Sequence, residues 1–371
     1  YYKRWLPAIE QAPDTDALHD VIRASLKEFN ASHLTIMRGD IYWRFARTEF
    51  ANIKEMQYGI DIFKEGERYF VGDAMAGGPC FNAGIRAGDE LVSIDGIPTE
   101  HSPALAVGLS DALFDVHYVI VPPLGDQPVR LALRKTPDAN PVEVSVAPMP
   151  FNQIEATRNS VRVIEENGKR LGYVRVYHVL DPEIAKIVDQ AIGKAFADVD
   201  ALILDLRGSG GSPAVMSRLL AMVGNASQGG RGQPPKNIFK RGPVVGLIDK
   251  SSRSAKEVFA HIFQAKNLGT LVGEPTAGAV LGSQFDILAD GTRVLLPMTD
   301  IGTELTGGVD LEGNPVKPDV AVKITRTYKQ GRDDLVEAGI AEALRQLKDP
   351  SIKPAPDPST VEEDFLLPLS D

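Results

Sequence analysis

Three serines crowd one short stretch, Asp249-Lys250-Ser251-Ser252-Arg253-Ser254-Ala255-Lys256-Glu257, just ahead of a helical pattern. A hydroxyl at a helix start has two uses. Serine is a favoured N-cap, and Ser254 with Glu257 three residues later fits a capping box. The same place suits a nucleophile, because the N–H of Ala255 would point toward negative charge forming on a carbonyl attacked by Ser254. A nucleophilic serine needs a base, and the chain has six histidines. His19 falls on the polar side of an early helix, and His101 and His117 lie in a β-rich stretch. His178 follows a strand, and His261 is seven residues along the helix of Ser254, too far to reach back. His33 follows Ser32 at the head of a short strand. Spacing alone selects none of them. Lys256 is a further candidate base, although side chains two apart on a helix point away from each other.

A second stretch, Asp205-Leu206-Arg207-Gly208-Ser209-Gly210-Gly211, ends an apolar run and leads into a helix at Pro213. Its glycines would let backbone N–H groups approach an anion, or would simply permit a tight turn. The lysine and spacing of a Walker loop are missing, and Gly210 does not open a dinucleotide fingerprint.

Two or three domains must hold these groups, given 371 residues. At 43% hydrophobic and 24% charged, the chain has ample material for a core. A formal charge of −10 argues against nucleic acid or an anionic membrane as partner, since both require a basic face. The single cysteine, Cys80, excludes an intrachain disulfide and makes a Cys-based zinc site implausible. No cofactor or metal is expected. The chain starts at Tyr1 without a signal-like stretch, so an N-terminal targeting segment removed earlier would leave no trace here.

Residues 14–29 read as an amphipathic helix capped at Asp14 or Thr15, with Leu18, Val21, Ile22, Leu26 and Phe29 on one face. The strand-like run Ala31–Ile36 follows it. From about 55 to 148 the texture is short β-type runs between Gly and Pro turns. These include an Asp95-Gly96 hairpin and a closing pair of strands at 131–134 and 142–146. From about 160 to 325 the pattern is α/β. Strands fall at 172–176, 201–206, 243–249 and 270–273, and helices at 181–197, from Pro213, and at 254–266; an amphipathic helix at 333–348 closes it. A Pro-rich acidic tail follows.

These pieces resemble a known family. The β-rich insert resembles a PDZ domain: Tyr58-Gly59-Ile60 matches its carboxylate-binding loop, and Pro79 through Gly96 its Ala-Gly-Ile, Gly-Asp and Ile-Asp-Gly core. The α/β half resembles the C-terminal-processing (tail-specific) serine proteases through Leu204–Gly211, Ser252–Glu257 and Gly273-Glu274-Pro275-Thr276-Ala277-Gly278. That family carries a lysine just after the last segment, where this chain has Ala279. The sequence is closer to the tricorn-core branch, which places Ser-His ahead of the PDZ domain and a Glu after the nucleophile. Ser32-His33 and Asp310-Leu311-Glu312-Gly313-Asn314-Pro315 match those places, although Asn314-Pro315 replaces part of the pattern.

The resemblance implies an α/β core of the spiral ββα type in four segments. Residues 1–54 would form a helical segment carrying Ser-His, 55–150 the PDZ-like domain, 151–348 the protease core and 349–371 the tail. It implies a serine endopeptidase with Ser254 as nucleophile, His33 as base, Ser32 and Glu312 orienting the imidazole, and N–H groups of Gly210 and Ala255 as oxyanion hole. Glu304 is the competing acidic residue. Partners would be peptides or proteins, held by their C-termini at Tyr58, Gly59 and Ile60, with the oligomeric state left open. Family habit implies a periplasmic or otherwise exported location, with the cytoplasm as alternative. Competing readings are an inactive PDZ scaffold, a Ser254–Lys256 hydrolase, and a hydrolase of other acyl compounds on the same core.

Overall fold

The computed structural model describes residues 1–108, 110, 115–122, 127–208, 210–224 and 235–349, so the expected tail lies almost wholly outside the described residues. Two compact units emerge, one of 1–151, 281–300 and 326–330, the other of 152–280, 301–325 and the chain from 331.

The second unit is built on a six-stranded sheet. Its order is Arg162–Glu166, Lys169–Arg175, Ala201–Asp205, Val244–Ile248, Thr270–Gly273, Val320–Ala321. The first pair is antiparallel and the others are parallel. The unbroken apolar runs seen in sequence follow from cover on both faces. Leu202 and Leu204 pack with residues of the helices Pro182–Gly193, Pro213–Met222 and Ala255–Ala265. Ala201 and Ile203 face the other way, among Leu335, Ala343 and Leu344 of the helix Asp334–Lys348. Asp181 and Asp333 cap their helices through side-chain hydrogen bonds, and Pro182 and Pro213 occupy first turns, where a missing N–H costs nothing. The α/β class read from the sequence therefore stands.

In the first unit Asp14 caps the helix Thr15–Leu26 by accepting the N–H of Ala17, and one further turn, Lys27–Phe29, ends at Asn30 with φ 48. The expected apolar face is corrected. His19, Arg23 and Ser25 are the buried residues of this helix, whereas Phe29 is 57% exposed under the ring of Tyr1, centroids 5.0 Å apart. His19 is buried because its Nε2 meets the hydroxyl of Thr292, 3.3 Å away, and burial lowers its pKa. The next strand is Thr35–Met37, paired with Arg293–Thr299, so Ser32 and His33 lie in the turn before it rather than in the strand. Asp95 (φ 52) and Gly96 (φ 81) form the expected two-residue hairpin between Glu90–Ile94 and Ile97–Pro98. Val129–Arg134 and Val142–Val146 pair as the sequence suggests. The strand Ile60–Glu65 is paired on both sides, along its length with Arg68–Ala74 and at two positions with His117–Ile120.

One buried ion pair ties the end of the central strand to the last helix. The Asp205 carboxylate accepts from Arg207 Nε at 3.0 and 3.1 Å, from Arg207 NH2 at 2.5 Å and from the Tyr173 hydroxyl at 2.8 Å. Arg207 also donates to both carboxylate oxygens of Asp333, the cap of the helix Asp334–Lys348. Burial alone would raise the pKa of Asp205, but the Arg207 charge and its hydrogen bonds outweigh that and hold it well below the usual carboxylate range. A depressed carboxylate pKa adds stability that is present above the unfolded value and is lost as pH falls toward the folded one. Asp205→Asn is thus expected to cost about 3–5 kcal/mol at pH 7, by leaving a buried guanidinium short of charge. Urea titrations should show the gap to wild type closing by about 1.4 kcal/mol per pH unit below about pH 4. A gap that does not change with pH would assign the loss to packing.

Candidate active site

Ser254 sits where the strand Val244–Ile248 turns into the helix Ala255–Ala265, with φ 57 and ψ −128. Such a conformation costs a non-glycine residue about 1–3 kcal/mol and persists only where its surroundings impose it. A sharp strand-to-helix turn of this kind presents the hydroxyl outward at the head of the helix. The neighbouring serines are committed elsewhere. Ser251 donates to Asp249 and accepts the N–H of Gly208 at 2.8 Å, and Ser252 donates to the carbonyl of Leu206 at 3.0 Å. The turn after Asp205 packs directly on Ser254. A Cβ on Gly210 would lie 2.4 Å from both Ser254 Cβ and the Arg253 carbonyl oxygen, and 3.0 Å from the Ala255 nitrogen. Glycine at 210 is therefore required by close approach rather than by its dihedral angles. Among the described residues, the N–H groups of Gly210 and Ala255 donate no hydrogen bond within the protein. This leaves two backbone donors beside one strained serine.

Two glutamates organise the loop behind it. Glu257, read from sequence as a cap, is a buried clamp. Its carboxylate accepts from Thr276 Oγ1 (2.6 Å) and from the N–H groups of Gly278 (2.6 Å), Ala279 (2.7 Å) and Ser254 (3.2 Å). Burial raises its pKa, and these hydrogen bonds pull the other way. Glu312 accepts the N–H of Val280 at 2.8 Å, while the carbonyl of Ala279 accepts the N–H of Ser254 at 2.8 Å. A single peptide unit, 279–280, thus links the backbone of Ser254 to the carboxylate of Glu312. Glu304 lies exposed on the short helix Ile301–Leu305, so of the two acidic candidates Glu312 is the one joined to this loop.

The reading of Lys256 as a base is corrected. Its Nζ is buried and donates to the carbonyls of Val176 (2.5 Å), Tyr177 (3.1 Å) and Arg207 (2.9 Å), away from the Ser254 side of the helix. Burial, with the charge of Arg175 adding to it, lowers its pKa to about 7. The only local sign of this pinning role is a lysine on an otherwise apolar helix face. His178 is likewise buried, its Nδ1 accepting the N–H of Leu180, and burial followed by the Lys256 charge lowers its pKa to about 3.

Ser32 and His33 belong to the first unit, where they meet each other, Ser32 Oγ lying 2.9 Å from His33 Nδ1. Both are buried, and His33 has φ 54, a positive value carried by neither glycine nor asparagine. A hydroxyl bound at Nδ1 fixes the ring and directs Nε2 the other way. Also in this unit, Tyr58 is buried, with burial pushing its phenol up to about 12, and Gly59 has φ 63. The carbonyls of Tyr58 and Gly59 accept from Cys80 (3.0 Å) and Met75 (2.9 Å), and Ile60 begins a strand. Among the described residues no cluster of His, Cys, Asp or Glu suits a metal ion, and no helix is long and apolar enough to cross a membrane.

Comparison with known proteins agrees with the motifs. Residues 170–322 match the family described as peptidase family S41. Tricorn protease homolog 1 of Streptomyces coelicolor is 27% identical over 95% of this chain and 33% of that protein. The chloroplastic C-terminal processing peptidase of Tetradesmus obliquus is 28% identical over 66% of this chain and 54% of that protein. The chain therefore spans about a third to a half of the length of these relatives. Among solved structures, the photosystem II D1 C-terminal processing protease aligns with a TM-score of 0.50 at 22% identity, covering 89% of each chain. Mature CPAF complexed with lactacystin aligns at 0.53 and 15%, covering 93% of this chain and 92% of that one. These likenesses speak to the fold.

The tight seat of Gly210 yields a direct test. Gly210→Ala must push apart two backbone turns, which is expected to cost about 1–3 kcal/mol. Gly66→Ala, at a position with positive φ but open space, isolates the dihedral cost alone. Denaturant midpoints of the two variants should differ in m-value-corrected stability, with Gly210→Ala the worse; the reverse order would show that the two turns do not press on each other.

Proposed function

We propose that this chain, whose residues 170–322 match peptidase family S41, is a serine peptidase acting through Ser254 and His33. The observation that carries this reading is the serine at φ 57 heading a helix, seated against Gly210 and beside two N–H groups. In the first step Ser254 Oγ bonds to the scissile carbonyl carbon while its proton passes to His33 Nε2. The N–H groups of Gly210 and Ala255 hold the resulting oxyanion. The C–N bond then breaks as His33 returns the proton to the leaving amine. Water, deprotonated by the same imidazole, hydrolyses the acyl-serine. Ser32, bound to Nδ1, fixes the ring, and Glu312 supports the loop and the imidazolium charge. The reading requires the two units to bring His33 to Ser254.

Substrates are peptides or proteins. The finer reading is capture of their C-termini at Tyr58–Ile60 by strand addition. The names of the relatives, a C-terminal processing peptidase among them, support it.

A phosphonate probe for serine hydrolases is expected to label wild type at Ser254. Labelling and peptide turnover should fall by about 10⁴-fold or more in Ser254→Ala and in His33→Ala, with both variants folded. Equal turnover in His33→Ala would remove His33 as base. Absence of labelling in a folded wild-type chain would favour a peptide-binding scaffold without catalysis.

A further inference from the structure

We propose that Lys256 is a positioning residue for the oxyanion turn: its ammonium, held by three backbone carbonyls, fastens the turn carrying Gly210 to the helix of Ser254, and the turn loosens when that nitrogen gives up a proton. Calling the turn an oxyanion turn rests on the peptidase reading; the fastening itself does not.

The parallel strands Lys169–Arg175 and Ala201–Asp205 diverge just beyond their ends. The N–H of Val176 donates to the Asp205 carbonyl (2.9 Å), and further on Val179 donates to Gly210 (3.1 Å) and Ser212 to Val179 (2.8 Å). Between these points the carbonyls of Val176, Tyr177 and Arg207 turn toward one spot. Lys256 Nζ fills it, at 2.5, 3.1 and 2.9 Å from the three oxygens. Gly208, with φ 96, wraps the nitrogen closely: a Cβ there would lie 2.9 Å from the Tyr177 oxygen and 3.7 Å from Nζ. Three converging carbonyl oxygens repel one another unless donors stand between them, and a protonated lysine brings three.

The same side chain leaves the first turn of the helix Ala255–Ala265, two residues after Ser254. Its backbone N–H donates to the Arg253 carbonyl (3.2 Å), the oxygen against which a Cβ at 210 would press. The turn is thus held to this helix twice, by Nζ on its buried side and by the contact of Gly210 with Ser254. Lys256 is 1% exposed, so it acts on the reaction through the turn and not by touching substrate.

The charged and titratable groups facing Nζ are Arg175, Asp205 and Arg207 at the two strand ends, Asp249 beyond the strand Val244–Ile248, and His178. His178 stays neutral, since burial and then the Lys256 charge keep its pKa near the printed value of about 3. For Lys256, burial and the two guanidiniums outweigh the two carboxylates and bring its pKa down to about 7. Below that value three N–H donors meet three carbonyls. Above it the proton has passed to solvent, two donors remain, and the amine lone pair faces the third carbonyl.

The test has two readouts, one of which needs no activity. In the first, a fluorescent fluorophosphonate labels Ser254 of the full chain. At pH 7, Lys256→Met should lower the maximal labelling rate by about 10²–10³-fold, the worth of an oxyanion donor, with the half-saturating probe concentration unchanged. The wild-type rate should fall between pH 7 and pH 9. Lys256→Arg, whose guanidinium does not titrate there, should recover part of the rate and lose that fall. Wild-type labelling by Lys256→Met, or the same fall in Lys256→Arg, overturns the proposal. The second readout is hydrogen exchange of the unsubstituted chain, which also decides if Lys256→Met does not fold. After correction for intrinsic rates, peptides covering 177–180 and 207–212 should lose protection at pH 9 relative to pH 6, while Val244–Ile248 keeps it. Equal protection of these segments at both pH values overturns the proposal. A wild type that shows this loss but is never labelled supports the fastening and fails the peptidase reading alone.

Discussion

Everything in the second unit converges on keeping one serine in a backbone conformation it would not adopt alone. The strain at Ser254 is offset from three directions. Its N–H is shared between the Ala279 carbonyl and the Glu257 carboxylate, its Cβ is seated against Gly210, and its carbonyl accepts the N–H groups of Glu257 and Val258. Remove any one and the cheapest relaxation is rotation of Ser254 toward an ordinary helix cap, which would withdraw the hydroxyl from the two neighbouring N–H donors. Strain stored at a site and supported by its surroundings in this way is a common signature of preorganised chemistry.

The supports are buried charges, an expensive way to build a turn. Asp205 and Arg207 lock the glycine turn to the sheet and to the last helix. Lys256 fastens the carbonyl of Arg207 to those of Val176 and Tyr177. Glu257 gathers the loop 276–279. Each charge is fully provided with hydrogen-bond partners, and all act at the carboxyl ends of parallel strands, where an open α/β sheet offers a crevice for ligands. An apolar core of the same volume would be cheaper but would leave the turn free to choose among several conformations.

How much of this could be read from residues alone depended on the length of the signal. The run 201–206 announced a strand covered on both faces, and Asp95-Gly96 announced its hairpin, because period and positive φ are local properties. The serine cluster and the glycine turn are visible as chemistry, and Glu257 does cap the helix by accepting the N–H of Ser254, but its three further partners lie some twenty residues away at 276–279 and leave no local sign. Lys256 passed for a base because nothing local shows three carbonyls converging on it. His19 was assigned to the polar side, since a single amphipathic stripe cannot reveal the Thr292 hydroxyl that meets it from the opposite end of the unit's chain. The half-polar strand His117–Ile120 left no clear alternating pattern, and so the covered edge of Ile60–Glu65 was unforeseen. The choice of His33 among six histidines came from resemblance and not from spacing.

The central claim is that Ser254 reacts with the help of His33 while Gly210 and Ala255 receive the oxyanion. A crystal structure of the chain covalently modified by a peptidyl phosphonate tests it most directly. The account predicts phosphorus bonded to Ser254 Oγ, one phosphonyl oxygen within about 3 Å of both N–H groups, and His33 Nε2 in hydrogen-bond reach of the adduct. An adduct on Ser254 with His33 remote from it and the phosphonyl oxygen turned away from Gly210 would contradict it.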